Sequence, residues 1–236
     1  MLKLSKRLTA AASLVSPCSV LADVGTDHGY VPIYLIEQGK IQSAIAMDIN
    51  RGPLCRAQEH IVQYHMEGRI ETRLSDGVAA LAPGEAQAIL IAGMGGGLVI
   101  HILSSGSTVC RKAGELILQP QSELFRVRTF LAEEGYVVQD EEMTLEDGKY
   151  YPMMRVAYEP DAGREAWPAV FLTYGRLLLE RRHPVLKAYL EKERRIFGEI
   201  EAELKGQCQT EAVSLRRQEI EEARKRNAEA LAFYGC

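Results

Sequence analysis

The chain has no Cys-x-x-Cys pair, no G-x-G-x-x-G and no uninterrupted apolar run of the roughly 18 residues a membrane span needs. Its five cysteines, Cys18, Cys55, Cys110, Cys208 and Cys236, are odd in number and widely scattered. That pattern argues against a zinc site, an iron–sulfur cluster or a redox dithiol and fits ordinary cytosolic thiols, so no metal and a cytoplasmic location are expected. A dominant charge is lacking too. Lys and Arg number 28 against 32 Asp and Glu, a formal net charge of -4, so no global basic field gathers nucleic acid and such a partner must be held locally. The N-terminal MLKLSKRLTAAASLV starts basic, but Ser5, Lys6, Arg7, Thr9 and Ser13 interrupt its apolar residues, which favours a helix over a signal peptide. No membrane partner is expected.

What is present is a folded chain of 236 residues, 47% hydrophobic and 25% charged, a balance that argues against disorder. At roughly 150 residues per domain, this is one full domain with a smaller appendage. SVLADVG, IQSAIAMDIN, RIETRLSDG, QAILIAGMGGG and GELILQPQ are short apolar runs ending in Gly, Asp, Asn or Gln. Amphipathic stretches with helical spacing separate them, which predicts a βαβ series and a parallel sheet. YVVQDEEMTLEDGKYYPMMRVAYEP carries two strand-like runs with no helix between them, so an antiparallel pair closes a sheet of about seven strands. Composition changes after Pro160. Residues 161–236 place Leu186, Leu190, Phe197 and Leu204 along one stripe, and Gly206 to Thr210 reads as a turn with Thr210 as N-cap of a second helix. The expected organisation is a sheet domain, 1–160, and a helical hairpin, 161–236, that either contacts a partner or dimerises, with a monomer favoured.

Asp23-Val24-Gly25-Thr26-Asp27-His28-Gly29 falls where the first strand gives way to the first crossover helix, the place where open α/β sheets bind ligands. The spacing is G-x-x-x-G, and Asp27 sits inside the loop whose amides would otherwise cradle a pyrophosphate. A carboxylate there repels a diphosphate. A ligand carrying an ammonium and a sulfonium, such as S-adenosylmethionine, gains from both Asp23 and Asp27. Asp48 ends the second strand 19 residues after Gly29, about where an acid reaches a ribose diol. Asp76-Gly77, ending the third strand, fits an adenine contact, although an Asp there also serves as a turn or cap residue.

DVGTDHGY, DIN, SDG and AGMGGG, in that order and spacing, with LQPQSE and GKYYP, resemble a class I S-adenosylmethionine-dependent methyltransferase and more closely the bacterial tRNA (adenine-22-N1)-methyltransferase family. The motifs span residues 1–160, and the similarity extends to the helical C-terminal part. The resemblance implies an α/β, Rossmann-like seven-stranded sheet with a coiled-coil-like C-terminal domain. It also implies S-adenosyl-L-methionine as cofactor, tRNA as partner, and methylation of N1 of an adenine in the D-arm region. Carried over by motif, Asp23, Gly25, Asp27, His28 and Gly29 line the methionine half of the cofactor, Asp48 and Ile49 hold its ribose, and Asp76 and Gly77 meet its adenine. Gly93-Met94-Gly95-Gly96 stands where many amino-group methyltransferases have Asn/Asp-Pro-Pro-aromatic, a motif this chain lacks. A glycine loop offers close backbone approach and carbonyl acceptors, or is a tight strand–helix connection.

Adenine N1 is largely unprotonated at neutral pH, so orientation should outweigh proton transfer. Asp27 and the Gly93–Gly95 backbone are candidates for stabilising the cationic ring. His28 reads either as a catalytic base or as a loop-ordering group. Gln119 and Gln121, flanking Pro120, read as base-edge contacts or as solvated loop residues. Tyr150 and Tyr151 near the cleft rim read as stacking platforms or as alternating strand residues. For the tRNA backbone, Lys3, Lys6 and Arg7 recur at helical spacing. Arg176, Arg181, Arg182, Lys187, Lys192, Arg194 and Arg195 form a second cluster diluted by Glu180, Glu191 and Glu193. The competing readings are a methyltransferase for another RNA position, a protein or a small molecule, a nicotinamide-dependent oxidoreductase, and a non-catalytic adaptor.

Overall fold

The structure is a computed structural model that describes residues 2–161, 167–206 and 210–235. It divides into two compact units, Met1–Ala166 and Trp167–Cys236.

The first unit opens with helix α1, Lys6–Leu14, as the interrupted N-terminal pattern predicts. Ser5 caps it, its hydroxyl accepting from the Leu8 N–H, and Ala11, Ala12 and Leu14 form the buried stripe. The chain then alternates: β1 Cys18–Val24, α2 Tyr30–Glu37, β2 Ile41–Asp48, α3 Arg51–Gln63, β3 Ile70–Leu74, β4 Ala88–Met94, α4 Gly96–Ser105, α5 Ser107–Cys110, β5 Glu115–Pro120, α6 Leu124–Glu134, β6 Tyr136–Glu146 and β7 Lys149–Tyr158. All seven strands share one sheet of order β3-β2-β1-β4-β5-β7-β6. Strands β1 to β5 are parallel, while β7 runs antiparallel to both β5 and β6. The Rossmann-like sheet and its antiparallel closure are therefore as the sequence predicts. The carboxyl ends of five strands and the first residues of β7 consequently meet along one edge.

Helices α1 and α2 and Ile61 of α3 belong to one apolar core with Leu21, Ala46, Leu90 and Ile117 of the sheet. Helix α1 crosses the sheet from the site edge to the opposite one. Near its start the Lys6 N–H donates to Glu146 at the end of β6, at 2.6 Å. Past its end the Ser16 N–H and hydroxyl both donate to Glu115 at the start of β5, at 2.6 Å each, and Arg155 adds a 3.4 Å ion pair. On α6 and β6, Arg128 and Glu141 form an ion pair at 2.9 Å with both side chains 1% exposed.

In the second unit the structure adds two short helices the sequence reading did not foresee, α7 Ala169–Tyr174 and α8 Arg176–Glu180. The hairpin follows as α9 Pro184–Lys205 and α10 Glu211–Ala232. Its antiparallel register is fixed by Arg217 donating to the Leu204 carbonyl at 2.6 Å and by Tyr234 donating to the His183 carbonyl at 3.0 Å. Thr210 caps α10 through the Val213 N–H, as expected, while residues 207–209 of the anticipated turn lie outside the described residues, as do Cys208 and Cys236. Leu186, Leu190 and Leu204 are buried and Phe197 is half-buried, so the expected stripe packs. Glu193 is no surface diluent. It accepts from Tyr174, Tyr189 and the buried Asn227 at 2.6, 3.0 and 3.0 Å. No described helix is long and apolar enough to cross a membrane.

Removing one partner of the Arg128–Glu141 pair strands a buried charge. Glu141→Leu is expected to lower unfolding free energy by about 3–5 kcal/mol in urea titrations, and Arg128→Met with Glu141→Leu to recover most of that loss. A single variant as stable as the wild type would show that the pair carries no such coupling.

Candidate active site

The first turn is clamped to the neighbouring strand. Gly25 and Thr26 N–H groups both donate to the Met47 carbonyl of β2 at 2.8 Å, and the Thr26 hydroxyl accepts from Gly29 N–H at 3.2 Å. Gly25 and Gly29 have φ of +77° and +67°, a left-handed conformation that favours glycine. Met94 lies against Gly25 where a Cβ would stand, so this position admits no side chain while Met94 stays.

The two acids of this turn are in different states. Asp23, at the end of β1, is buried, and burial pushes its carboxyl up to about 6 despite the opposing Thr26 hydrogen bond, with Asp48 adding repulsion. Asp27 is exposed and already partnered: Arg56 of α3 pairs with it, and His28 Nε2 lies 3.1 Å from its other oxygen. The hydrogen bond from Arg56 holds the Asp27 carboxyl below its usual range. The Asp27 charge, expected to act on a cationic ligand, is thus shared with a cation from the next helix. Arg56 escaped the sequence reading, although its spacing of four from His60 puts both on one face of α3.

His28 sits in an aromatic cluster the sequence did not announce. Its ring stacks on Tyr30 at 5.0 Å and 11° and lies 5.3 Å from His60. His60 Nδ1 is 3.0 Å from the His28 carbonyl, and its Nε2 is 3.3 Å from the Tyr30 hydroxyl. His28 Nδ1 is buried without a hydrogen-bond partner among the described residues. His28 is thus tied to Asp27, Tyr30 and His60.

The ends of β2 and β3 continue the edge. The Asp48 carboxylate accepts from the Asn50 N–H at 2.7 Å, and Ile49 is 59% exposed, an apolar face open to a ligand. At the end of β3 the turn-forming side chain is Ser75, which is buried and bonds the Gly77 carbonyl and the Ala80 N–H at 2.9 and 3.1 Å. That leaves Asp76 exposed, its carboxylate without a hydrogen bond among the described residues, so the cap reading of Asp76 is not the one realised. Gly77, with φ of +54°, faces Ile102, 3.0 Å from where a Cβ would be.

At the end of β4 the pairing with β5 slips between Ala92 and Met94, and Gly93 sits in this bulge with φ of +80°. Gly96 opens α4 under tight constraint, since a Cβ there would lie 2.5 Å from the Ser122 carbonyl oxygen. The Gly96 and Gly97 N–H groups donate to the Ser122 hydroxyl and the Glu123 carboxylate at 3.2 and 2.9 Å, satisfying the helix start from outside the helix. This part of the loop is a tight connection, and Ser122 and Glu123 are its unforeseen partners.

Three substrate-side expectations are corrected. Gln119 is no loop residue: it lies within β5, fully buried, its Oε1 accepting from Gly93 N–H at 3.1 Å and from Arg7 at 2.8 Å, while its Nε2 is buried without a hydrogen-bond partner among the described residues. Its side chain is closed off from the surface, and the exposed Gln121 is the glutamine at the surface. Lys3, Lys6 and Arg7 do not share a helical face. Lys3 precedes α1, Lys6 is exposed, and Arg7 is half-buried over the Tyr151 ring, 5.6 Å from its centroid. Tyr151, packed against the core and covered by Arg7, is likewise no free stacking face, whereas Tyr150, its neighbour in β7, is half-buried at the same end. In the helical unit Arg176 pairs with Glu180 at 3.5 Å and lies over Trp167, while Arg181 and Arg182 are exposed. Among the described residues no cluster of three His, Cys, Asp or Glu could hold a metal ion.

Residues 4–154 match a family model described as a methyltransferase domain. The chain is 38% identical over 177 residues to the tRNA (adenine(22)-N(1))-methyltransferase of Bacillus subtilis, covering 75% of this chain and 74% of that protein. The crystal structure of the B. subtilis m1A22 tRNA methyltransferase TrmK superposes with a TM-score of 0.85 at 32% identity, over 98% of this chain and 100% of that one. A Streptococcus pneumoniae protein solved in complex with S-adenosyl-L-methionine superposes with a TM-score of 0.84 at 32% identity, over 97% and 100% of the two chains.

The buried Asp23 carboxyl links this site to stability. Its proton leaves near pH 3.8 in the unfolded chain and near 6 in the folded one. The folded state thus binds more protons between these values, and stability contributed here is lost as pH rises through that window, by about 3 kcal/mol. The stability of Asp23→Asn relative to wild type, from urea unfolding, is expected to grow between pH 4 and 6 and then level off. A difference constant across that range would show that Asp23 titrates normally.

Proposed function

This chain belongs to the family of tRNA (adenine(22)-N(1))-methyltransferases, and we propose on that premise that it transfers a methyl group from S-adenosylmethionine to N1 of adenine 22 in the D-arm region of tRNA. The observation that carries the reading is the row of acids Asp23, Asp48 and Asp76 at three successive strand ends, around a turn in which Gly25 and Gly29 are left-handed.

The residues fit the cofactor. A buried carboxylate at Asp23 favours a cationic partner, the left-handed Gly25 leaves the loop without a side chain, and exposed Ile49 beside Asp48 offers an apolar face. Asp23 takes the ammonium group, with Gly25 and Gly29 giving close backbone approach. Asp48 and Ile49 hold the ribose, and Asp76 and Gly77 meet the adenine. Asp27 and His28, already bonded to each other and to α3, keep the loop in place. Gly93 and Met94 form the wall on the reacting side.

When bound, S-adenosylmethionine supplies an electrophilic methyl group on a sulfonium centre. Adenine N1 uses a ring lone pair that is unprotonated at neutral pH, so the chain need not remove a proton. Its task is orientation, which contributes about 7–11 kcal/mol in well-aligned cases, more than a general base typically does. Within the glycine loop the Met94 carbonyl already accepts from the Gln121 N–H and the Gly95 carbonyl from the Leu98 and Val99 N–H groups, so the Gly93 carbonyl is the candidate to accept from the adenine amino group as the ring becomes cationic, and Tyr150 offers a face for the base. The Met1–Ala166 unit is then catalytic and the helical unit holds tRNA, with Lys3, Lys6, Arg176, Arg181 and Arg182 meeting its backbone. A tRNA substrate fits a cytoplasmic location.

Incubation with methyl-labelled S-adenosylmethionine should yield 1-methyladenosine in a tRNA with adenine at position 22 and none in the same tRNA with guanine there, read by nucleoside mass spectrometry. Transfer to neither, with cofactor binding demonstrated, would refute the assignment. Since the ammonium is held by ionised Asp23, cofactor affinity measured calorimetrically should fall as pH drops below about 6. In Asp23→Asn it should be weak and flat across that range.

A further inference from the structure

Arg7 differs from Arg56 of the site edge in its partners. Arg56 is neutralised by Asp27, whereas Arg7 has no carboxylate partner and uses one of its five N–H donors, Nη1, on Gln119 among the described residues. Its position is nevertheless held tightly. The Gln119 oxygen holds Nη1 at 2.8 Å, the Tyr151 ring lies beneath the guanidinium at 5.6 Å, and Nη1 stands 3.4 Å from where a Cβ on Gly93 would be. The orientation of the Gln119 amide is unambiguous, because two donors, Arg7 and Gly93 N–H, converge on one of its atoms, which must be the oxygen. A half-buried cation fixed by a neutral acceptor keeps its full charge and most of its fork for something else.

We infer that Arg7 is the oxyanion site of this cleft, its guanidinium held by Gln119 and Tyr151 beside Gly93 to receive a carboxylate or phosphate of the bound reactants. The inference rests on the proposed methyl transfer, whose two reactants each bring such a group. These are the α-carboxylate of the cofactor's methionine half and the phosphate of the target nucleotide. The carboxylate gives the cleft a simple electrostatic logic, with Asp23 for the ammonium and Arg7 for the carboxylate of one zwitterion. Gln119 is then a positioning residue acting through Arg7.

Calorimetric titration of wild type and Arg7→Met with S-adenosylhomocysteine and with methylthioadenosine, which lacks the amino-acid half, separates the two sources. Losing one charge-assisted contact should weaken S-adenosylhomocysteine binding by about tenfold or more and leave methylthioadenosine unchanged if the carboxylate is the ligand. If it is a phosphate, both small ligands bind as before, and the slope of log affinity for tRNA against log salt falls by about 0.7–0.9. Gln119→Glu, which places a carboxylate on Arg7 from inside, should reproduce whichever loss is seen, with folding checked by thermal unfolding. Unchanged affinity for S-adenosylhomocysteine together with an unchanged tRNA salt slope would overturn the inference while leaving the methyl-transfer reading intact. Failure of the wild type to bind either the nucleoside or tRNA would overturn both.

Discussion

The Gln119 carboxamide lies inside the sheet with its oxygen shared between the Gly93 N–H and the Arg7 guanidinium, and the substrate side of the edge is organised around that shared acceptor. Gly93 sits in a bulge, where its N–H has left the regular ladder. There it is matched by an acceptor from β5 at 3.1 Å. The same acceptor draws the first turn of α1 onto the edge. A helix that precedes the whole βαβ series thereby supplies a residue to a cleft otherwise built from strand ends.

Charge is distributed along this edge by burial. Asp27 lies in the exposed part of the turn and meets Arg56, an arrangement whose value in high-dielectric surroundings is mainly to hold the loop. Asp23 lies deeper, helped by the Thr26 hydroxyl, and is held in a state that costs folding free energy and favours a cation. The two acids look alike in the motif and differ in depth. A buried carboxylate without a cation is a cost of folding that a binding site can recover from its ligand, which is why the less comfortable acid is the one assigned to the ammonium group.

The glycines of the site also divide by cause. Gly25, Gly29 and Gly93 are left-handed, so their conformation itself favours glycine. Gly96 has ordinary helical surroundings and is constrained by the nearness of Ser122 and Val127. One sequence feature, a run of glycines after β4, thus serves a turn and a close contact within four residues.

Much of the fold was legible because its signals are local. Alternation and helical spacing marked the strands and crossovers, the missing helix before GKYYP marked the antiparallel closure, and Thr210 marked the start of α10. The acids at the ends of β1, β2 and β3 were legible for the same reason, since a strand end is a position in the chain. The short helices α7 and α8 were not, because pieces of five or six residues carry too little periodicity. What only the tertiary structure decided was the partner of each side chain. Arg7 looked like the third member of a basic helical face and became a cleft residue through Gln119, 112 positions away. Asp27 looked like a partner for a cationic ligand and was met by Arg56, 29 positions away. Periodicity reports which side of its own element a residue occupies, whereas hydrogen bonds and ion pairs depend on which elements the sheet order brings side by side, and that order is set by packing the whole chain around one core.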